Sequence, residues 1–173
     1  MVLIQKQDGA IRFCVDYWKL NAITTPDTYP MPRMDSLLNI LGQPKFISTL
    51  DLSKGFWQMA LDLDVIGKSA FAMPLGLYEF TVLFFGTRYS PASFQRLINN
   101  LLQGYEQFVL AYIDNIAIFS QDFESRLIYL ATTLNKIKQA GLTVKAKKCD
   151  LALPEVVYLG HRVDGGQDCL HVG

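Results

Sequence analysis

The sequence predicts an α+β fold in which two amphipathic helices cover one face of an antiparallel sheet. Short apolar runs typical of strands occur at Phe46–Asp51 and on both sides of the dipeptide Asp114-Asn115. Apolar residues recur at every third or fourth position after Ser90 and again after Asp122, which indicates two helices. From residue 46 to residue 145 the order is strand, helix, strand, strand, helix, strand, with a small hairpin inserted after the first strand. This is the split βαβ, ferredoxin-like order.

The ends of the two helices can be predicted from single residues. Ser90 suits the N-cap and Pro91 the first helical position, and Gly104 can end this helix. Asp122 suits the N-cap of the second helix, and Gly141 the left-handed position that follows its last turn. The predicted apolar faces are Phe94, Leu97, Ile98, Leu101 and Leu102 in the first helix, and Leu127, Leu130, Ala131, Leu134 and Ile137 in the second.

The remaining segments give shorter elements. We predict a helix over residues 33–41, since Pro32 precedes it and Gly42 follows it. Residues 68–73 and 78–83 are predicted as a hairpin joined by residues 74–77. Further strands are predicted at 11–17, 142–145 and 156–159.

Two carboxylates are candidates for a functional site. Asp114 and Asn115 tolerate the backbone of a two-residue hairpin turn, and on its own the dipeptide indicates nothing more. Asp51, however, ends another predicted strand. Two strand-borne carboxylates that meet in space can hold divalent cations, as phosphoryl-transfer sites require.

The composition limits the class of protein. A chain of 173 residues suits one domain, and a hydrophobic content of 50% excludes disorder. A formal net charge of zero is not the basic balance of a stand-alone nucleic-acid-binding protein. Residues 51–135, which contain both candidate carboxylates, carry more acidic than basic residues. A cation site beside a polyanion would produce this distribution, and so would chance.

The cysteines and the N-terminus favour an intracellular protein. The three cysteines are far apart, odd in number and without a CxxC motif, so we expect a reducing compartment. His161 and His171 lack zinc-ligand spacing. The first residues become polar too soon for a signal peptide, and no run approaches the length of a membrane span.

A series of short motifs runs along residues 5–163. In order they are RFCVDY at 12–17, KLN at 19–21, YPMPR at 29–33, LDL at 50–52, Phe71 with GLYEF at 76–80, FG at 85–86, PASFQR at 91–96, YID at 112–114, KKC at 147–149 and YLGH at 158–161. Each motif is weak alone, but their order and spacing are highly specific. Over nearly all of residues 5–163 the chain resembles the reverse transcriptase of Gypsy-type LTR retrotransposons.

This resemblance implies a polymerase palm built on the split βαβ core, with a partial fingers subdomain. The fingers would comprise roughly residues 1–45 and 62–90, the palm roughly 46–61 and 91–163, and residues 164–173 a tail. The thumb, the connection region and the RNase H domain would be absent. The implied activity is RNA-directed DNA polymerisation, in which a dNTP is joined to a primer 3′-hydroxyl on template RNA or DNA. RNase H and integrase domains would be neighbours in a retroelement polyprotein.

The resemblance also implies roles for the two carboxylates. Asp51 and Asp114 resemble the residues that bind two Mg²⁺ ions, or Mn²⁺ in their place, which in such sites lie roughly 3.5–4 Å apart. The family carries a second aspartate in the turn, where this chain has Asn115. Asparagine can offer a neutral carbonyl oxygen to a cation but brings no charge. Asn115 therefore favours a catalytically dead nucleic-acid-binding remnant over an active enzyme, and a purely structural module remains the third hypothesis.

Nucleotide binding is implied for residues of the predicted fingers and near the palm. Lys6 and Arg12 resemble the residues that hold the triphosphate, for which a guanidinium is well suited. Phe56 resembles the steric gate that excludes a 2′-hydroxyl. The alternatives are solvated surface charges for the two cations and a core aromatic for Phe56.

The remaining implied contacts involve the template and the primer. The Phe85-Gly86 turn and Gln95 resemble the part that meets the template and the nucleotide pocket. The strings that contain Tyr112 and Leu159-Gly160-His161 resemble primer-binding segments, the second being the primer grip. For His161 the alternative is a half-buried strand histidine.

Overall fold

The computed structural model describes residues 2–5, 9, 11–164 and 170–171. Packing divides the chain into a first unit, Met1–Tyr29 with Lys54–Phe94, and a second unit, Pro30–Ser53 with Gln95–Gly173. The α-helices are α1 (Trp18–Ile23), α2 (Met34–Leu41), α3 (Leu63–Ile66), α4 (Ser90–Leu101) and α5 (Phe123–Gln139). The strands are β1 (Val2–Gln5), β2 (Ile11–Cys14), β3 (Phe46–Asp51), β4 (Phe71–Met73), β5 (Gly76–Tyr78), β6 (Val109–Tyr112), β7 (Asn115–Ser120), β8 (Asp150–Leu153), β9 (Glu155–Tyr158), β10 (His161–Asp164) and β11 (Leu170–His171).

The second unit is organised around a four-stranded antiparallel sheet. Its strand order is β6-β7-β3-β8. β3 and β7 pair without interruption from Phe46 opposite Ser120 to Asp51 opposite Asn115. The first strand therefore lies beside the third and the fourth, as a split βαβ unit requires, and the predicted α+β class is confirmed.

The prediction of the fourth strand was wrong. Residues 142–145 make only one isolated bridge, from Val144 to Leu52, and the edge strand is β8 instead. β8 pairs with β3 through a shift in register, and its residue Ala152 has φ 65° and donates its N–H to Ser48 Oγ at 2.9 Å. Asp150 and Ala152 are poor strand formers. The pairing is therefore set by contacts with β3, which local propensity does not reveal.

The core of the second unit joins helix α2 to the sheet. Leu37, Leu38 and Leu41 are buried with Ile47 of β3, and β7, β9 and β10 add the buried side chains Ala117, Val156, Tyr158 and Val163. Residues 30–45, which the sequence assigned to the fingers, thus pack in the same compact unit as the sheet. Their functional assignment stays a prediction, because packing alone does not define a role.

Helix α5 begins and ends where its capping residues predict, whereas α4 includes its predicted N-cap Ser90 and ends at Leu101, before Gly104. The Asp122 carboxylate accepts a hydrogen bond from the Ser125 N–H at 2.8 Å, at the start of α5. Gly141 has φ 71°, the left-handed conformation expected after the last turn. α4 begins at Ser90. In the described part of the chain no helix is both long enough and apolar enough to cross a membrane.

The first unit contains two small hairpins and a cluster of aromatic rings. β1 pairs with β2, and β4 pairs with β5 around a turn at Pro74-Leu75, which is tighter than the predicted four-residue loop. Phe80 stacks on Phe84 with 4.6 Å between ring centroids, and Tyr17 lies 4.8 Å from Phe84. Phe84 and Tyr17 are buried, so these rings form part of the interior of the first unit.

Candidate active site

The two candidate carboxylates lie on neighbouring strands at the same end of the second unit's sheet. Asp51 is the last residue of β3, and its partner in register is Asn115, the first residue of β7. The turn between β6 and β7 is Ile113-Asp114, one residue earlier than the predicted Asp114-Asn115 turn, because Asn115 already pairs with Tyr112 in the ladder. The Asp114 backbone oxygen accepts a hydrogen bond from the Leu52 N–H at 2.9 Å. The structure therefore brings together the acidic residues that the sequence pattern placed near each other.

The side chain of Asn115 contacts the neighbouring carboxylate directly. Its Nδ2 donates to Asp114 Oδ1 at 3.1 Å. A carboxylate has only acceptor oxygens when ionised, so an aspartate at position 115 could not make this bond and would repel Asp114. Asn115 thus replaces a repulsive contact within the turn by an attractive one.

Lys148 places a positive charge beside the other carboxylate. Its Nζ lies 3.3 Å from Asp51 Oδ2, and the Asp51 side chain is only 20% exposed. The Lys145 N–H donates to the Asp51 backbone oxygen at 2.7 Å, so the segment after α5 is held against the end of β3. These contacts therefore involve two carboxylates, one ammonium group and one neutral amide.

The predicted primer-grip residues form the turn of the β9–β10 hairpin. Leu159 and Gly160 both have positive φ, 53° and 82°, as a two-residue hairpin turn with matching twist requires. Tyr112 and Leu159 pack against the core of the second unit, and His161 is partly buried. The fully buried Tyr158 donates its hydroxyl to the Asn115 backbone oxygen at 3.2 Å, which links this hairpin to the Asp114 turn.

In the first unit, Phe56 and the Phe85-Gly86 turn are close together. The Phe56 ring is buried and lies 4.9 Å from the Phe85 ring and 5.4 Å from the Phe94 ring, between centroids. Gly86 has φ 100°, and a Cβ there would come within 3.0 Å of the Val15 carbonyl oxygen, so the turn requires glycine.

Asn21 fixes this turn from both sides, a role that the sequence did not reveal. Its Nδ2 donates to the Gly86 oxygen at 2.7 Å, and its Oδ1 accepts from the Arg88 N–H at 3.0 Å. The KLN motif carried the only signal, and it gave no role.

Comparison with known proteins decides the family. The model of the family described as "Reverse transcriptase (RNA-dependent DNA polymerase)" matches residues 4–163. This chain belongs to the reverse transcriptase family. The predicted resemblance to the reverse transcriptases of Gypsy-type LTR retrotransposons is confirmed.

Several relatives of this reverse transcriptase domain are polyproteins. This chain is 40% identical over 153 residues to the retrovirus-related Pol polyprotein from transposon 297 of Drosophila melanogaster. The match covers 88% of this chain and 14% of the relative. The chain is 34% identical over 162 residues to the enzymatic polyprotein of cauliflower mosaic virus (strain Strasbourg), covering 94% and 24%. The chain thus spans about a seventh and about a quarter of the length of these two curated relatives.

Solved structures share the fold. The foamy viral protease-reverse transcriptase in complex with RNA/DNA hybrid is 27% identical, with a TM-score of 0.84 over 94% of this chain and 22% of that one. A second structure of that viral protein, in complex with double-stranded DNA, is 28% identical with a TM-score of 0.85, over 94% and 29%.

Reverse transcriptases generally use divalent metal ions, and the acidic residues of this chain provide suitable oxygen ligands. Asp51 and Asp114 offer carboxylates and Asn115 an amide oxygen, the ligands that Mg²⁺ prefers. Among the described residues no group of three or more His, Cys, Asp or Glu side chains could hold a metal ion. The substitution at position 115 leaves the turn one carboxylate short of such a group. The residues present fit a divalent cation, with less charge than a third carboxylate would give.

The side chains of two predicted nucleotide-binding residues of this reverse transcriptase domain lie outside the described part of the structure. Lys6 lies outside the described residues. The backbone of Arg12 pairs with Ile4 in the β1–β2 ribbon, and its side chain is likewise outside the described part. Their roles stay predictions.

Replacing Lys148 by Met is expected to strengthen the binding of Mn²⁺ about threefold to fivefold at low salt. The ammonium competes with a metal ion for Asp51, and a pair this exposed contributes at most about 1 kcal/mol. Electron paramagnetic resonance of free Mn²⁺ measures the affinity. Lys147→Met removes the same charge from the adjacent residue as a control. Unchanged or weaker binding in Lys148→Met would contradict the expectation.

Replacing Tyr158 by Phe is expected to lower the free energy of unfolding by about 1 kcal/mol near neutral pH, because the Asn115 carbonyl loses its buried donor. Burial raises the pKa of the Tyr158 phenol above its ordinary value of 10.0. The unfolded chain therefore ionises first, so the wild-type protein loses stability as the pH rises above about 10.

Urea unfolding at about pH 8 measures the effect of the lost hydrogen bond. Unfolding at about pH 10.5, just above the ordinary tyrosine pKa of about 10, measures the effect of phenol ionisation. The variant should lose less stability than the wild type between the two pH values. Some loss should remain, because burial also raises the pKa of Tyr17 to about 12. Tyr78→Phe, at an exposed tyrosine, is the matched control. Equal losses of stability between the two pH values in Tyr158→Phe and in the wild type would contradict the assignment of this pH dependence to Tyr158.

Proposed function

We propose that this chain is the RNA-directed DNA polymerase domain of a retroelement polyprotein, and that Asn115 impairs turnover in this copy. The reaction would join a dNTP to a primer 3′-hydroxyl, with release of pyrophosphate. The observation that supports the proposal best is the convergence of Asp51 and Asp114 at one end of the sheet.

The two carboxylates would hold Mg²⁺ ions in this reaction. When bound, two such ions stabilise the attacking and the leaving oxygen of an in-line displacement. Asp51 and Asp114 would supply the charge, and Asn115 would supply a neutral oxygen at most. Lys148, 3.3 Å from Asp51, lowers the net negative charge further. Because the net negative charge around Asp51 and Asp114 is low, we expect weak metal binding and slow nucleotide transfer.

The remaining predicted residues would position the substrates. Lys6 and Arg12 would hold the triphosphate, and Phe56 would exclude ribonucleotides. Primed template, RNA or DNA, would be the macromolecular partner, as RNA/DNA hybrid and double-stranded DNA are for the solved relatives. Further residues proposed to contact nucleotide, template or primer are Phe85, Gly86, Tyr112, Leu159, Gly160 and His161. The predicted contact of Gln95 is not proposed again, because its side chain is completely buried. RNase H and integrase domains are the proposed polyprotein neighbours.

The second candidate is a catalytically dead nucleic-acid-binding remnant. Asn115 favours it, because the amide stabilises the turn by donating to Asp114 while removing a charge that metal binding needs. Both candidates require binding to nucleic acid, which a purely structural module does not.

Binding of a primed RNA template, titrated at several salt concentrations, tests the proposal. We expect the logarithm of the binding constant to fall linearly with the logarithm of the salt concentration, because phosphate contacts release counterions. A binding constant independent of salt would refute a nucleic-acid role. Incorporation of one dNTP should be low in the chain as it stands, and robust incorporation would refute the proposed impairment.

A further inference from the structure

Gln95 is a completely buried polar residue that makes hydrogen bonds to the strand and the turn that carry Asp114. It lies in α4 and its exposed fraction is 0%. Its Nε2 donates to the Ala111 backbone oxygen at 3.0 Å and to Asn99 Oδ1 at 2.8 Å. Its Oε1 accepts from the Ile113 N–H at 2.6 Å. A buried amide is costly unless it is paired, and here both ends are paired.

Ile113, which receives one of these bonds, has a strained backbone. Its φ is 54°, a region that β-branched residues rarely adopt. Tyr112 and Asn115 form the last pair of the β6–β7 ladder, so the turn residue Ile113 has no ladder partner for its N–H. Such conformations persist only where surrounding contacts impose them. The Gln95 amide supplies such a contact, because it binds both the Ala111 oxygen and the Ile113 N–H.

The strained residue immediately precedes Asp114. Rotation of the Ile113 backbone would change the direction in which the next side chain leaves the turn. On the other side, Asp114 is held by the bond from the Leu52 N–H and by the amide of Asn115. Gln95 therefore acts on the one part of the turn that neither of these contacts fixes.

We infer that Gln95 is a positioning residue for Asp114, because its side-chain amide holds Ile113 in the conformation from which the Asp114 carboxylate reaches Asn115, the register partner of Asp51. The inference rests on the proposed function insofar as that carboxylate binds metal. It needs no contact between Gln95 and a nucleotide, since the amide works entirely through the backbone of residues 111–113. Its position inside the unit explains why the motif PASFQR would require glutamine at its fifth position.

Three variants separate positioning from packing. Gln95→Leu removes every hydrogen bond while keeping an apolar volume in the core. Gln95→Glu keeps an acceptor for the Ile113 N–H but loses the donors to Ala111 and Asn99. Asn99→Ala removes one partner of Gln95 without touching the turn, and is the matched control.

The measurements are Mn²⁺ affinity, by electron paramagnetic resonance, and hydrogen exchange of the Ile113 amide, by NMR. Both are made without nucleic acid, on protein whose circular dichroism shows that it is folded. We expect Gln95→Leu to weaken Mn²⁺ binding about tenfold or more, in the range of supporting residues around metal ligands, and to accelerate exchange at Ile113. Gln95→Glu should bind Mn²⁺ more tightly and exchange more slowly at Ile113 than Gln95→Leu does. Asn99→Ala should change the Mn²⁺ affinity less than about twofold on the same scale.

Folded Gln95→Leu with unchanged Mn²⁺ affinity and unchanged exchange at Ile113 would overturn the inference. So would an equal loss of affinity in Asn99→Ala, which would indicate general destabilisation of α4. If the unaltered chain binds no Mn²⁺ at millimolar concentrations, the metal site of the proposed function fails. In that case exchange at Ile113 still decides whether Gln95 holds the turn.

Discussion

Replacing Asn115 by Asp is expected to raise Mg²⁺-dependent nucleotide incorporation by about two orders of magnitude or more, the scale on which single charge-stabilising groups act in active sites. The assay uses a primed RNA template and one dNTP. The physical reason is charge. In the chain as it stands, two carboxylates face one ammonium, and the substitution adds a third carboxylate beside Asp114.

The substitution also has a structural cost that the same assay can expose. Asn115 Nδ2 donates to Asp114 Oδ1, and a carboxylate would repel it in the absence of metal. We therefore expect Asn115→Asp to be less stable than the parent chain in a chelator, and to regain stability when Mg²⁺ is added. Asn115→Asp combined with Asp51→Asn is the control and should remain inactive. No gain in the single variant would mean that substitutions elsewhere disable the site.

Replacing Asp51 by Asn is expected to weaken Mn²⁺ binding about 30-fold or more. A unit charge about 4 Å from a divalent ion contributes about 2 kcal/mol in water, twice the value for two unit charges, and more in a less polar site. The Asp51 side chain is mostly buried, and its loss leaves Lys148 without the carboxylate it contacts. The site would then hold one carboxylate and one ammonium, a balance that no longer favours a cation.

Titration of Mn²⁺ into both proteins measures this change. Asp164→Asn removes the same charge on β10, where Asp164 pairs with Glu155 at the end of the hairpin away from the Leu159-Gly160 turn. The control should keep its affinity within about twofold, because screening at physiological salt acts over about 8 Å. Equal losses in the two variants would indicate that net charge, rather than a site at Asp51, governs binding.

Local signals predicted the strand β3, the hairpin around Asp114 and both long helices. Alternation of apolar residues, turn dipeptides and capping residues all act within a few positions along the chain. The convergence of Asp51 with the Asp114 turn followed from the order of these elements, since a split βαβ unit places the first and third strands side by side.

Features that depend on distant contacts could not be predicted in this way. Lys148 lies 97 positions from Asp51, and a lysine is ordinarily a surface charge. The family resemblance implied that Gln95 meets the template and the nucleotide pocket, and glutamine is rarely buried in full. Its burial is possible only because Ala111, Ile113 and Asn99 together satisfy its amide. Such a set of partners becomes visible only in three dimensions.

The hydrogen bond between Asn115 and Asp114 has a consequence for the history of such a gene. It lets the hairpin keep its shape with no ion present, so loss of catalysis need not bring misfolding and removal of the protein. Asparagine and aspartate codons differ by a single base. If Asn115 impairs turnover as proposed, one point mutation therefore separates this chain from a restored carboxylate on an intact hairpin.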